Sequence, residues 1–190
     1  MTFENWLEDV DVLAGWLNSR SPKTPVILHG LEMGALLAAK TFESGVGDAL
    51  LMWAAPTSAN QALRGSLLHR ISMDHAFKFG DERKPVSEYL RQIEGGSALE
   101  VDGYRWSPRL WLDSFRFELP AGLGDEGKIA QYDRPVRSVK LDKRAAPLFR
   151  GSSVGYEAIH RDFSKLFAEN FEWMMAHLAV PAGGDFERSH

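Results

Sequence analysis

The stretch Val26-Ile27-Leu28-His29-Gly30-Leu31-Glu32-Met33-Gly34-Ala35-Leu36-Leu37-Ala38 reads as a short buried strand, a tight turn between two glycines, and a helix. The strand, expected over 25–29, carries no polar alternation, as in a parallel strand covered on both faces. A turn this sharp raises its central residue, Glu32, above the end of the sheet in a strained backbone conformation. Side chains two positions to either side would crowd it, so glycine suits both Gly30 and Gly34. Ala35 lets the helix approach the strand closely.

The rest of the chain agrees with an α/β fold. It has 190 residues, 44% hydrophobic and 25% charged, as expected of one globular domain over residues 1–180 with a disordered tail at 181–190. A net charge of −4 argues against nucleic acid as a main partner. The absence of cysteine excludes disulfides, thiolate metal sites and a cysteine nucleophile. No apolar run is long enough to span a bilayer, and the N-terminus lacks the pattern of a signal peptide, so a cytoplasmic location is expected.

Phe3, Trp6, Leu7, Val10, Leu13 and Leu17 recur at helical spacing behind Thr2, a suitable N-cap, and Ser21-Pro22 ends that helix. The helix after the turn is expected to run to about Glu43. A second buried strand follows at Ala49-Leu50-Leu51-Met52-Trp53. The order strand, helix, strand implies parallel pairing. Residues 57–120 read as a helical insertion, with Ser87 capping its second helix. A hairpin at 99–106 turns on Asp102-Gly103. Ser107-Pro108 opens a helix carrying Leu110, Trp111, Phe115 and Leu119. A third strand is expected at Val136–Leu141. A last helix has Phe163, Leu166, Phe167, Phe171, Met174, Met175 and Leu178 on one face.

On these residues the chain resembles the α/β-hydrolases, and more narrowly the hydrolase-like proteins associated with exosortase systems. The resemblance is carried by Gly30-Leu31-Glu32-Met33-Gly34-Ala35-Leu36-Leu37-Ala38, by Leu50-Leu51-Met52-Trp53 with Pro56, by Tyr89-Leu90-Arg91, and by Glu100-Val101-Asp102-Gly103-Tyr104 with Ser107-Pro108. It runs over roughly residues 1–120. It implies a partial α/β-hydrolase-type parallel sheet and makes the turn a Gly-x-nucleophile-x-Gly elbow. Two departures stand out. Glu32 occupies the place of the attacking serine. Only one helix precedes the elbow strand, where about 60–90 residues of βαβ units are expected. The loop supplying half of the oxyanion hole belongs to that missing part, and the Met33 N–H would be the other half. Acyl transfer would then lack a donor worth about 3 kcal/mol. Without earlier strands, the strand at 25–29 becomes an apolar edge that invites pairing, with a second copy or with a second hydrolase-like subunit.

Glu32 can act as a carboxylate nucleophile, as aspartate does in dehalogenase-like relatives, as a general base on water, or as a ligand-orienting carboxylate. A triad order of nucleophile, acid and histidine is met by Glu32, Asp142 and His160, although Asp142 also fits a surface charge cluster and His160 a helix start. His29 and Glu32, three apart, match no known zinc spacing, so neither metal nor cofactor is expected. Trp53, Trp106 and Trp111 can line a pocket above the elbow or fill the core. Arg64, Arg70 and Arg91 can hold an anion or face solvent. Two functions follow: a degenerate, non-catalytic subunit binding a partner or small ligand at the elbow, or a hydrolase or acyltransferase using Glu32.

Overall fold

The computed structural model describes residues 2–77, 83–123, 133–141 and 164–178. The elements are Phe3–Arg20 (α1), Ile27–Leu31 (β1), Met33–Glu43 (α2), Ala49–Trp53 (β2), Ala59–Phe77 (α3), Val86–Glu94 (α4), Leu99–Val101 (β3), Tyr104–Trp106 (β4), Pro108–Asp113 (α5), Val136–Val139 (β5) and Ser164–Leu178 (α6). This is a mixed α/β protein. The chain divides into two compact units, residues 1–140 and 141–190.

In the first unit β1, β2 and β5 form a parallel sheet in that order, and β1 is its edge among the described residues. Ile27 lies opposite Ala49 and Leu31 opposite Trp53. Leu50 lies opposite Val136 and Trp53 opposite Val139. The expected strand at 25–29 is displaced by two residues. The ends of Val26 are taken by Asp48: the Val26 N–H donates to the Asp48 carboxylate at 2.7 Å, and the Asp48 N–H donates to Val26 O at 2.7 Å. The ladder therefore starts after Val26 and continues to the corner.

The helix α2 is buried on two sides, as a helix apolar nearly all round should be. Ala35, Ala38, Ala39 and Phe42 pack on Leu28, Leu50 and Met52 of the sheet. On its other side Leu36 joins a larger core made by Phe3 of α1, by α3 and α4, and by Trp106, Leu110 and Trp111. Alanine at three of the sheet-facing positions lets the helix axis come close to the strands.

The segment between β2 and β5 closes on itself. Leu119 N–H donates to Thr57 O at 3.0 Å and Ala59 N–H to Phe117 O at 2.8 Å. Asn60 Nδ2 reaches Ser114 Oγ at 3.0 Å. This traffic ends α5 at Asp113 and leaves Phe115 and Leu119 outside it, contrary to the longer helix expected. α4 begins one residue before Ser87, with Pro85 as N-cap. The remaining local signals act as expected. Thr2 forms a capping box with Asn5. Ser107 caps α5 by accepting from Leu110 N–H at 3.1 Å. The hairpin turns through Asp102 at φ 50° and Gly103 at φ 82°, the paired positive angles of a type I′ turn.

Two apolar faces are less covered than their periodicity suggests. In α1 only Phe3 is buried, while Leu13, Trp16 and Leu17 are exposed. In α6, Phe167, Phe171 and Met175 face solvent and Leu166, Met174 and Leu178 are half-buried. Phe163 lies outside the described residues. No helix among the described residues is long and apolar enough to cross a membrane.

Candidate functional site

Glu32 is the one residue between β1 and α2, and its backbone sits at φ 50° and ψ −117°. Residues with a Cβ rarely adopt that conformation. The corner is tight: a Cβ on Gly30 would lie 2.1 Å from Gly34 O and 2.5 Å from Ala35 N. Gly30 is therefore required by close approach of backbone to backbone. Gly34 is not, since a Cβ there meets nothing within 4 Å; the crowding expected on both sides exists on one.

One hydrogen bond fastens the corner to the sheet and a second closes the first turn of α2. Glu32 N–H donates to Trp53 O at 2.9 Å, and Ala35 N–H donates to Glu32 O at 3.0 Å. The next residue beyond β2, Ala54, donates to Val139 O at 2.8 Å and is itself at φ 49°. Two strained non-glycine residues thus end two neighbouring strands. Nothing in the sequence singles out Ala54, because alanine is not a turn signal. Both lie at the carboxyl end of a parallel sheet, where open α/β folds bind ligands.

Glu32 is half-buried and makes no capping hydrogen bond to α2. Met33, first in the helix, has an N–H with no acceptor inside it. The positive end of the α2 dipole therefore stands beside a carboxylate, a favourable arrangement. Asp142 and His160 lie outside the described residues. The structure thus brings Gly30, Glu32, Met33 and Gly34 together.

His29 lies on the opposite face of β1 from Gly30, its ring 4.8 Å from that of Trp53 in an edge contact. It is exposed, yet partial burial against that ring lowers its pKa from the ordinary 6.5. The unfolded chain therefore takes up the proton first. The His29 contribution to stability should be constant above pH 6.5 and decline as pH falls from there to the lower folded value, then level off. An NMR titration of the His29 ring is expected to give a midpoint below 6.5. A midpoint at or above that value would remove the desolvation.

Of the aromatic and basic residues considered for a pocket, Trp106, Trp111, Arg64 and Arg70 serve elsewhere, while Trp53 ends β2 beside the corner. Trp106 and Trp111 stack at 6.4 Å within the larger core. Arg64 donates from Nε to Asn60 Oδ1 at 2.8 Å, and Arg70 pairs with Asp74 at 3.2 Å. An open groove of about 560 Å³, lined in part by Asp11, Asn18, Lys23 and Asp48, lies at the amino end of the strands, away from Glu32.

What the fold and corner define is a small parallel α/β sheet whose carboxyl end carries a strained carboxylate. Compared with models of known families, with curated proteins and with solved structures, the chain matches none.

Proposed function

We propose that the chain is a degenerate α/β-hydrolase-like module, a non-catalytic subunit whose corner presents Glu32 to a small ligand or a partner chain. The conformation of Glu32 carries this reading. A side chain held at φ 50° and ψ −117° costs about 1–3 kcal/mol, whereas glycine adopts such angles freely. Keeping a carboxylate where stability favours glycine supports a role for the carboxylate. A glutamate has no hydroxyl with which to replace the attacking serine. Among the described residues β1 is the sheet edge, along which a second copy or a second hydrolase-like subunit could extend the sheet.

The same corner favours a second reading, a hydrolase or acyltransferase with Glu32 as nucleophile or general base. The Met33 N–H, without an acceptor in its helix, suits an oxyanion donor.

Glu32→Gly is expected to raise the unfolding free energy by about 1 kcal/mol, since relief of strain is partly offset by the freedom of glycine in the unfolded chain. Urea denaturation reads this directly, and a variant no more stable than wild type would remove the basis of the proposal. Wild type is expected to be silent on a panel of esters, thioesters and epoxides. A measurable rate that Glu32→Gln abolishes, with the circular dichroism unchanged, would establish the enzyme instead.

A further inference from the structure

The second half of α1 carries an exposed apolar stripe that no element among the described residues covers. Val12 is 73% exposed, Leu13 57%, Trp16 52% and Leu17 41%. At 3.6 residues per turn, Asp9, Leu13, Trp16, Leu17 and Arg20 fall within about 100° of arc, with Val12 on their flank. Asp9 and Arg20 are exposed and close the two ends of the stripe.

The order of these residues is self-complementary. The pairs Asp9 and Arg20, Val12 and Leu17, and Leu13 and Trp16 are all centred on one point of the helix, between Ala14 and Gly15. We propose that this face of α1 is the interface between two copies of the chain, packed antiparallel about a twofold axis through that point. The arrangement sets Leu13 of each copy against Trp16 of the other. It also sets Asp9 of each copy beside Arg20 of the other, so both ends of the stripe carry opposite charges. A parallel pairing would bring Asp9 onto Asp9 and Arg20 onto Arg20.

A twofold interface requires one patch to complement itself, and this patch does. Trp16 is suited to be its anchor, because tryptophan and arginine carry much of the binding energy at such contacts. Arg20 already stands beside it, its guanidinium 5.6 Å from the Trp16 ring. An anionic lipid surface is a poor alternative occupant, since Glu4, Glu8 and Asp11 lie on the same helix and would be repelled. The inference does not depend on the role of Glu32 or on the β1 edge.

Sedimentation velocity on the full chain, from about 1 to about 200 µM, tests it. Wild type is expected to dimerise within that range. Trp16→Glu should abolish association. Asp9→Arg alone and Arg20→Asp alone should each weaken it about tenfold or more, since each places like charges at both ends of the pair. An equimolar mixture of these two variants should recover association as a heterodimer, because every end then carries opposite signs. The substituted side chains are exposed, and unchanged far-ultraviolet circular dichroism confirms their folding. A wild type that stays monomeric throughout overturns the proposal. So does a dimer indifferent to both charge reversals, which is the result expected if copies meet along β1.

Discussion

Gly30→Ala is expected to destabilise the chain by about 3 kcal/mol or more, at the upper end of what overpacking costs. The added Cβ would lie 2.1 Å from Gly34 O, 2.3 Å from Gly34 C and 2.5 Å from Ala35 N. All three are backbone atoms of the first turn of α2, so no side-chain rotation can relieve the contact. The helix would have to move off β1, opening the layer in which Ala35, Ala38 and Ala39 pack on Leu28, Leu50 and Met52. Gly34→Ala is the control. Its Cβ meets nothing within 4 Å, and alanine is favoured over glycine in a helix by about 0.5–1 kcal/mol. Urea denaturation of the two variants should move the midpoint in opposite directions. A Gly30→Ala chain within about 1 kcal/mol of wild type would show that the corner is looser than its geometry states.

The contrast between these glycines shows what kind of information a sequence carries. The spacing Gly30-x-x-x-Gly34 announces a corner, but which glycine is needed depends on which side of the turn the helix backbone crosses. Local chemistry was legible where one residue settles a question. Thr2 and Ser107 donate no ambiguity as caps, and Asp102-Gly103 suits the positive angles of a two-residue hairpin turn. The run 49–53 reads as a strand because every residue in it is apolar, and every one is buried in the structure. Features set by distant partners were not legible. Asp48 occupies both backbone groups of Val26, which delays β1. Pairing of Asn60 with Ser114 cuts α5 short.

Periodicity likewise identifies an apolar stripe but not what lies under it. The 18 residues of α1 span about 27 Å and the 11 of α2 about 17 Å, so α1 outruns the helix on which its first turns rest. Leu13, Trp16 and Leu17 are exposed beyond Val10, which still packs on the sheet-side core. At the candidate site the sequence located the corner and its carboxylate. It gave no hint of the second strained residue, Ala54, which donates to Val139 O of β5, a partner distant in the chain.

Arg134 is the largest such omission, and replacing it should have the second largest effect. Its Nη1 donates to Val46 O at 3.2 Å and Gly47 O at 2.7 Å, and its Nη2 donates to Phe42 O. Its guanidinium carbon lies 3.8 Å from the centre of the Phe42 ring. One half-buried side chain thus serves carbonyls at and beyond the negative end of α2, where a cation is favoured. It also fixes the start of β5, because the next residue, Pro135, accepts from Leu50 N–H at 2.9 Å. Arg134→Ala removes the charge, the ring contact and the donors to Val46 and Gly47 together. Hydrogen bonds to charged groups contribute about 1.5–3 kcal/mol, and the helix-end charge adds to that, so a loss of about 2–3 kcal/mol is expected after relaxation and water entry. Arg134→Lys keeps the charge but cannot span three carbonyls with a compact ammonium, and should recover about half of the loss. Both variants should shift the denaturation midpoint at constant slope, as a native-state effect requires. If Arg134→Lys were as stable as wild type, charge alone would explain the contact and the guanidinium fork would be incidental.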